Sequence, residues 1–493
     1  MKEEQSSGGV LSQGVVSLLA YGVNFLASFV AIIGMIRIMG KEPYGVFALA
    51  LQISAFTSML ADFGIGPVIM RRLAIMPQRA ATIVLEASML RLLLMLPAWL
   101  LTLGIGWLLE PGWTFFLMLN LMLCNMIVSS KLPVLRGTIE ALYRSQSRMG
   151  IPTIAMAVDS IVLLGMVVLA PALFRDPVQA MLLYTISNVV GAVALAAGGW
   201  SLTKRISTEA ARISWSGMKE LLWSASPLAL FLMLNALHVS IDTVYLKIFH
   251  GNGEVGVFNA ALRFMAPLAV FPTIIAISAS PYFARASAAA GSGQEDAVTR
   301  LFAQSVKTLL IGSVLLAGLG ATNARELIGA PLKYAFEDAV LPLILLFIVF
   351  LPMSMNMFLV EVNNARGNIV TNSKAAAILA VVSVIAGIPL VFYYASIGAA
   401  LSKLLATSLC LIFLLARSRA GIHLAMTPLV RKSAILLALL VSFRLLLDDF
   451  GLIISNGLAV AVVISGMFTQ QIFSPEELRQ WKEQISSMFG RRR

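Results

Sequence analysis

Long apolar segments separated by short polar ones run through almost the whole chain. A helix that crosses a bilayer needs about 20 mainly apolar residues, because it rises 1.5 Å per residue through about 30 Å of hydrocarbon. The pattern therefore predicts an all-α membrane protein with fourteen transmembrane helices. These lie near 15–38, 44–65, 84–109, 114–135, 150–173, 178–200, 221–249, 256–281, 299–321, 337–361, 370–393, 397–416, 430–447 and 451–473.

The composition supports this prediction and excludes other classes. Hydrophobic residues make up 59% of the chain and charged residues only 12%, whereas a soluble domain carries about 25% charged residues. The segments are also too apolar for a β-barrel, whose strands alternate polar and apolar positions. Cys124 and Cys410 both lie in apolar runs, so neither a disulfide framework nor a cysteine metal motif is expected.

The positions of Lys and Arg predict the orientation. These residues concentrate in alternate connecting segments, and such segments are cytoplasmic by the positive-inside rule. The other set of loops holds only Arg37, Lys41, Arg175, Arg325 and Lys333. Both termini are therefore predicted to be cytoplasmic, and the net charge of +12 reflects these loops rather than a nucleic-acid partner. Residues 1–13 lack the basic region of a signal peptide, so the first helix should be retained.

The connecting segments are short, which limits the chemistry that the chain can perform. None is long enough for a nucleotide-binding domain and no GxxxxGK[ST] motif occurs, so we expect no ATP use, no cofactor and no metal. No large external loop or convergent His/Asp/Glu cluster suggests catalysis. The sequence therefore favours a transporter over a membrane polymerase or acyltransferase, and no catalytic residue is expected.

The two halves of the helical region show an internal repeat. An offset of 211 residues aligns 40–51 with 251–262, with identities that include Gly40/Gly251 and Gly45/Gly256. Helices 1–6 then correspond to helices 7–12 as parallel repeats, which is the arrangement of a two-lobed transporter. The predicted domains are two six-helix lobes (1–200 and 221–416), a cytoplasmic linker (201–220), two extra helices (417–473) and a basic amphipathic tail on the membrane surface (474–493).

Three short motifs resemble those of a known family. They are the turn Met39-Gly40-Lys41-Glu42-Pro43-Tyr44-Gly45, the sequence Asp62-Phe63-Gly64 followed by Arg71-Arg72, and Ile397-Gly398-Ala399-Ala400. The chain thus resembles the polysaccharide transporters of the multidrug/oligosaccharidyl-lipid/polysaccharide exporter superfamily, whose fold is MATE-like. Drug/cation antiporters in that superfamily typically have twelve helices, whereas polysaccharide transporters and peptidoglycan-precursor flippases have fourteen.

The resemblance implies a function. We expect a flippase in the bacterial inner membrane that moves a polyprenyl-pyrophosphate-linked oligosaccharide by alternating access, for exopolysaccharide or O-antigen synthesis. A peptidoglycan-lipid-precursor flippase and a cation-coupled multidrug exporter remain alternatives. Expected partners are the lipid-linked oligosaccharide, anionic inner-leaflet lipids, and a polysaccharide polymerase with its chain-length regulator.

Charged and polar residues inside spans are costly, which makes them candidate functional residues. Helix 7 carries Asn235, His238, Asp242 and Tyr245 on one face, and in the resembling family helices 1, 2, 7 and 8 line the cavity. The candidate substrate-binding residues are Arg263, Asn24, Asn235, Gln52, His238, Lys247 and Arg37.

Arg263 is the leading candidate for a phosphate contact, because a guanidinium matches phosphate oxygens with a planar fork. An ion pair with Asp242 is the alternative. Lys247 and Arg37 lie near outside helix ends, where snorkelling to the interface competes with binding. His238 could sense protons or be a buried, hydrogen-bonded residue.

Further acidic and basic residues suggest coupling and gating. Asp242 and Asp159 are candidates for binding a coupling proton or Na⁺, and Asp159 is equally well explained as a satisfied hydrogen-bond partner. Asp62 and Glu361 could form gate salt bridges with Arg71, Arg72 or Arg366, or be solvated helix ends. The membrane potential alone could also drive export, because it is worth about 2.3 kcal/mol per charge per 100 mV.

Overall fold

The computed structural model describes residues 7–288 and 295–417 and a few positions between 432 and 465. This part of the chain is helical and contains no strand. The helices are α1 (Ser7–Met39), α2 (Lys41–Asp62), α3 (Ile65–Ile75), α4 (Ala80–Leu109), α5 (Trp113–Val128), α6 (Leu135–Ser145), α7 (Gly150–Leu169), α8 (Pro177–Ile206), α9 (Trp215–Met265), α10 (Val270–Ala288), α11 (Glu295–Thr322), α12 (Ala324–Leu332), α13 (Val340–Ala365) and α14 (Ile369–Arg417).

The all-α membrane fold is confirmed, whereas the count of fourteen spans is not. Nine helical stretches among the described residues are long and apolar enough to cross a bilayer. Two of them hold two predicted spans each, because α9 and α14 each consist of two helices that join at a kink, at Gly251 and Ala395 respectively. Most of 430–473 and the whole tail 474–493 lie outside the described residues.

The described chain groups into two compact units. The first comprises 1–267, 328–342 and 369–406, and the second comprises 268–327, 343–368 and 407–493. The first unit thus contains α9 and most of α14 in addition to α1–α8. The predicted lobes are defined by the repeat rather than by contacts, and they stay a prediction.

Two predicted spans are interrupted by local backbone features. The predicted span 44–65 ends at Asp62. Phe63 and Gly64 then adopt left-handed φ values of 49° and 68° before α3 begins. The predicted span 114–135 breaks after α5, where the Ser129 hydroxyl accepts a hydrogen bond from the N–H of Lys131 at 3.0 Å. Pro133 cannot donate a helical hydrogen bond. The break therefore places Lys131 in the segment between α5 and α6 instead of inside one continuous span.

The backbone supports the repeat alignment. Gly40 and Gly251 have nearly the same torsion angles, with φ 80° and ψ −179° for the first and φ 80° and ψ −171° for the second. A Cβ added at Gly45 would lie 1.8 Å from the carbonyl oxygen of Asn252, and one at Gly256 would lie 2.0 Å from that of Lys41. The two repeat-related hairpins therefore meet backbone to backbone and reciprocally. We call the end of the first unit that carries them the hairpin end.

The opposite end of the first unit, the linker end, has an apolar core beneath the linker. Met218, Leu221 and Ala225 at the start of α9 pack there against α3, α4, α6 and α8. Only 207–214 of the predicted linker is non-helical, because α8 continues to Ile206. Glu86 of α4 accepts hydrogen bonds from the N–H and the hydroxyl of Ser214 at 3.0 and 2.8 Å. The linker is thus fastened to α4.

Candidate functional site

Two cationic side chains lie near each other in the first unit. Arg263, in the last turn of α9, is half-buried and donates from Nε to the hydroxyl of Tyr44 at 3.3 Å. Lys131 is exposed, donates to the hydroxyl of Ser28 at 2.9 Å, and has its ammonium group 5.3 Å from the ring centre of Tyr184. We call these five residues the Lys131–Arg263 site.

The charges at this site are not neutralised by an ion pair. Lys131 and Arg263 repel each other electrostatically, and Asp159 attracts Lys131 from beyond ion-pair distance. Within the ranges that the structure describes, no carboxylate oxygen lies within 4.0 Å of either cation. Two positive charges near each other are unfavourable unless an anion compensates them. The arrangement is therefore suited to a doubly charged anion.

Aromatic and amide groups surround the two cations. The ring of Phe47 packs against both Tyr44 and Tyr184, which are themselves buried. Gln52 donates to the side-chain oxygen of Asn259 at 3.3 Å, and Asn259 donates to the hydroxyl of Thr243 at 3.2 Å. Such amides and hydroxyls are the groups that bind sugar hydroxyls, so Gln52 keeps its predicted role as a candidate.

The two asparagines that the repeat predicts to be equivalent differ in their surroundings. Asn24 accepts a hydrogen bond from the hydroxyl of Ser160 at 2.7 Å. Asn235 is half-buried. Both stay candidate sugar-binding residues.

The predicted polar face of helix 7 packs against α14. His238 Nδ1 lies 2.6 Å from the hydroxyl of Ser383, and the Tyr245 hydroxyl donates to the carbonyl of Val384 at 3.2 Å. Asp242 is fully buried, and its Oδ2 lies 2.7 Å from Nζ of Lys403. The alternative considered for Arg263, an ion pair with Asp242, is therefore not formed, because the aspartate has another basic partner and the arginine contacts a tyrosine.

Asp159 also has a basic partner. Its Oδ2 lies 2.5 Å from Nη1 of Arg136, and its Oδ1 accepts the N–H of Gly191 at 2.9 Å. Arg136 further contacts Glu140 at 3.2 Å, and these three charged side chains are all buried. Asp159 thus has hydrogen-bond partners, and its role in ion coupling stays a prediction.

The predicted gate residues form other pairs than those suggested. Asp62 pairs with Arg91, because the turn at Phe63-Gly64 precedes the helix that carries the two arginines. Arg72 lies 2.8 Å from Glu220, and Arg71 is exposed.

In the second unit, Glu361 accepts a hydrogen bond from Ser280 at 3.2 Å. Its predicted role in gating stays a prediction.

Lys247 belongs to the hairpin end. It pairs with Glu110, which also accepts a hydrogen bond from the side chain of Asn252 at 3.0 Å. Burial raises the pKa of Glu110, but the hydrogen bonds from Lys247 and Asn252 outweigh it and hold that pKa below the ordinary value of 4.5. Lys41 pairs with Asp338 at the same end, and Arg37 is exposed.

Sequence reasoning missed Lys131, Tyr44 and Tyr184 as site residues. The first could have been found from Ser129-Ser130-Lys131-Leu132-Pro133, since a proline and two serines inside an apolar run indicate a helix break. The tyrosines carry no signal of this kind. They become site residues only through packing between distant helices.

Comparison with solved structures identifies the fold of the chain. The fold is similar to "Lipid II flippase MurJ, inward closed conformation", with a TM-score of 0.72, 13% identity, and coverage of 94% of this chain and 100% of the other. It is also similar to an inward-facing multidrug resistance MATE family transporter of the MOP superfamily, with a TM-score of 0.62, 14% identity, and coverage of 81% and 98%. A MOP superfamily transporter from Pyrococcus furiosus aligns with a TM-score of 0.52, 13% identity, and coverage of 85% and 94%.

These solved structures are a flippase and transporters, and the chain shares their all-α fold. A search of curated protein sequences found no match. The family model "Polysaccharide biosynthesis protein" matches residues 10–287, which is more than half of the chain. The chain therefore belongs to the Polysacc_synt family of polysaccharide biosynthesis proteins, as the motifs predicted.

Proposed function

We propose that this protein is a flippase that moves a polyprenyl-pyrophosphate-linked oligosaccharide across the bacterial inner membrane for exopolysaccharide or O-antigen synthesis. The observation that carries the proposal is the Lys131–Arg263 site, where two cations that form no ion pair match the charge of a pyrophosphate. The guanidinium and the ammonium would each donate charge-assisted hydrogen bonds to phosphate oxygens. The family membership supports a polysaccharide precursor as cargo.

The remaining parts of the sugar-lipid fit the surrounding groups. The polyprenyl chain stays in the bilayer, whereas sugars need hydrogen-bond partners throughout the crossing. Asn24, Asn235, Gln52 and Asn259 are the amides that would supply them. Access would alternate between the two faces of the membrane by rocking of the repeats, and the partners would be a polymerase and a chain-length regulator.

The driving force would be the membrane potential, supplemented by a coupling proton or Na⁺. A dianionic head group that moves outward from a negative interior gains about 5 kcal/mol per 100 mV if both charges cross the whole field. The two acidic candidates for ion coupling, Asp159 and Asp242, are both held by basic side chains. This favours the potential as the main source of energy.

One alternative cargo has support of its own. The solved structure with the TM-score of 0.72 is a lipid II flippase, so a peptidoglycan lipid precursor is the second candidate. Its head group is also a pyrophosphate sugar, and the Lys131–Arg263 site would serve both. A cation-coupled multidrug exporter is disfavoured, because a site with two positive charges repels cationic drugs.

The test compares variants in cells and in vesicles. We expect Lys131→Gln and Arg263→Gln each to weaken head-group binding about 10- to 100-fold, since a hydrogen bond to a charged group contributes about 1.5–3 kcal/mol. Cells that carry either variant should accumulate the completed lipid-linked oligosaccharide and lose surface polysaccharide. Lys204→Gln is the matched control, because Lys204 lies over the ring of Trp200 outside the site.

Proteoliposomes separate the two candidate cargoes. A fluorescent polyprenyl-pyrophosphate oligosaccharide and a lipid II analogue are supplied in parallel, and arrival in the opposite leaflet is followed by quenching. Preferred transport of the oligosaccharide supports the proposal, and preferred transport of lipid II moves the assignment to the second candidate. Wild-type flux from double Lys131→Gln/Arg263→Gln protein would contradict the proposed binding site.

A further inference from the structure

The buried ammonium group of Lys403 lies among oxygen atoms in the interior of the first unit. Its Nζ is 2.7 Å from Oδ2 of Asp242, 3.1 Å from the carbonyl oxygen of His238 and 3.3 Å from that of Val239. Asp242 is 0% exposed and Lys403 6% exposed. A carboxylate and two main-chain carbonyls thus surround one positive charge.

Further oxygen atoms lie at this position. The hydroxyl of Ser402, next to Lys403 on α14, is fully buried and contacts the Asp242 carboxylate. Oδ1 of Asp242 lacks a hydrogen-bond donor of good geometry. A buried carboxylate oxygen without a good donor is rare in native proteins, and a bound ion is one group that would satisfy it.

This set of oxygens has the chemistry of a site for a monovalent metal cation. Hard cations choose carboxylate, carbonyl and hydroxyl oxygens. A single carboxylate balances a single positive charge. A divalent cation would leave one buried charge uncompensated, which is unfavourable.

We propose that Lys403 is a built-in cation that occupies a monovalent-cation site formed by Asp242, the carbonyls of His238 and Val239, and Ser402. Removing the ammonium group turns this position into a binding site for Na⁺ or K⁺. The native chain therefore takes up no free cation here, because its own side chain supplies the charge. The proposal is independent of the transported lipid, so it can fail while the proposed function holds.

The test measures thermal unfolding of the purified protein in NaCl, KCl or choline chloride at equal concentrations. Lys403→Met keeps the apolar length of the side chain and removes its charge. The Tm of this variant should rise with the logarithm of Na⁺ or K⁺ concentration, since a ligand that binds only the native state stabilises it by mass action. The Tm of the wild type should not distinguish the three salts, and adding Asp242→Asn to Lys403→Met should abolish the response.

Lys247→Met provides the matched control, because it breaks another lysine–carboxylate pair. Its partner Glu110 has a 31% exposed side chain and a hydrogen bond from Asn252, so water and the amide can stabilise the carboxylate. The Tm of this variant should therefore respond equally to the three salts.

Poor folding of Lys403→Met would not block the test. Recovery of folded variant in NaCl or KCl but not in choline chloride would support the site directly. An equal Tm in all three salts would overturn the proposal. It would also fail if Lys403→Met did not fold in any salt while the Asp242→Asn/Lys403→Met double variant did. A stabilisation of the wild type by Na⁺ that Asp242→Asn removes would show that Lys403 is not the occupant.

Discussion

Replacing Gly45 with alanine should open the hairpin end of the protein. The added Cβ would lie 1.8 Å from the carbonyl oxygen of Asn252, whereas real Cβ atoms essentially never approach another heavy atom within 3.0 Å. The obstructing atom belongs to the backbone and cannot rotate away, so α2 and α9 must separate by at least about 1.2 Å. Overpacking of this kind costs about 1–3 kcal/mol. The closed hairpin end should therefore lose about 5- to 150-fold in population.

Cysteine labelling measures this opening. Ala48 is fully buried one turn below Gly45, so Ala48→Cys in a background without Cys124 and Cys410 should react slowly with a membrane-impermeant maleimide. Gly45→Ala should raise the labelling rate by the factor given above. Ile69→Cys, in the fully buried core of the linker end, should stay unlabelled, and its labelling would indicate general unfolding.

A neighbouring glycine provides the control for helix propensity. A Cβ at Gly253 in the same hairpin would meet only the side chain of Glu42, at an ordinary contact distance of 3.8 Å. Gly253→Ala should therefore leave the labelling of Ala48→Cys unchanged. If Gly45→Ala labelled no faster than Gly253→Ala, the backbone contact would not hold the hairpin end closed, and the reasoning would be wrong.

Three further predictions concern ion pairs and caps of the first unit. Asp159→Asn should destabilise the protein by about 3–5 kcal/mol, because it leaves Arg136 buried with less compensation, whereas Arg136→Met/Asp159→Leu should lower the Tm far less; equal losses would contradict this. The depressed pKa of Glu110 means that its ion pair contributes stability above pH 4.5 and loses it as the pH falls below that value. Glu110→Gln should therefore lower the Tm equally at pH 5.5 and pH 8, and an effect confined to pH 8 would refute the assignment. Ser214→Ala should cost about 1 kcal/mol through loss of the α9 cap in denaturant unfolding, and a neutral result would show that the linker anchor is dispensable.

The sequence alone was sufficient to predict the features that depend on the local pattern of apolar and polar residues. Apolar runs of bilayer length predicted the helices, and the repeat aligned Gly40 with Gly251, two glycines whose backbone torsions match in the structure. Arg263 was found because a charge in an apolar segment is conspicuous. These features are properties of single segments or of their comparison, so no knowledge of packing was needed.

Pairings between distant segments could not be predicted from one sequence. Asp242 and Lys403 lie on different helices, and only the contact of α9 with α14 decides that they meet each other. Lys131 lies in the predicted span 114–135, which has the composition of one continuous helix. The break that places it near Arg263 depends on a local hydrogen bond and a proline, which outweigh the apolar pattern there.

In the proposed transport cycle, the positive charges of the Lys131–Arg263 site would also determine which half of the cycle responds to voltage. With a dianionic pyrophosphate bound, the site is nearly neutral, so the loaded protein would carry little net charge through the field. The empty site carries about two positive charges, and an interior-negative potential draws them back toward the cytoplasm with about 2.3 kcal/mol per charge per 100 mV. The potential would then reset the empty carrier rather than push the loaded one, and a voltage step without substrate would produce a transient current that bound lipid suppresses.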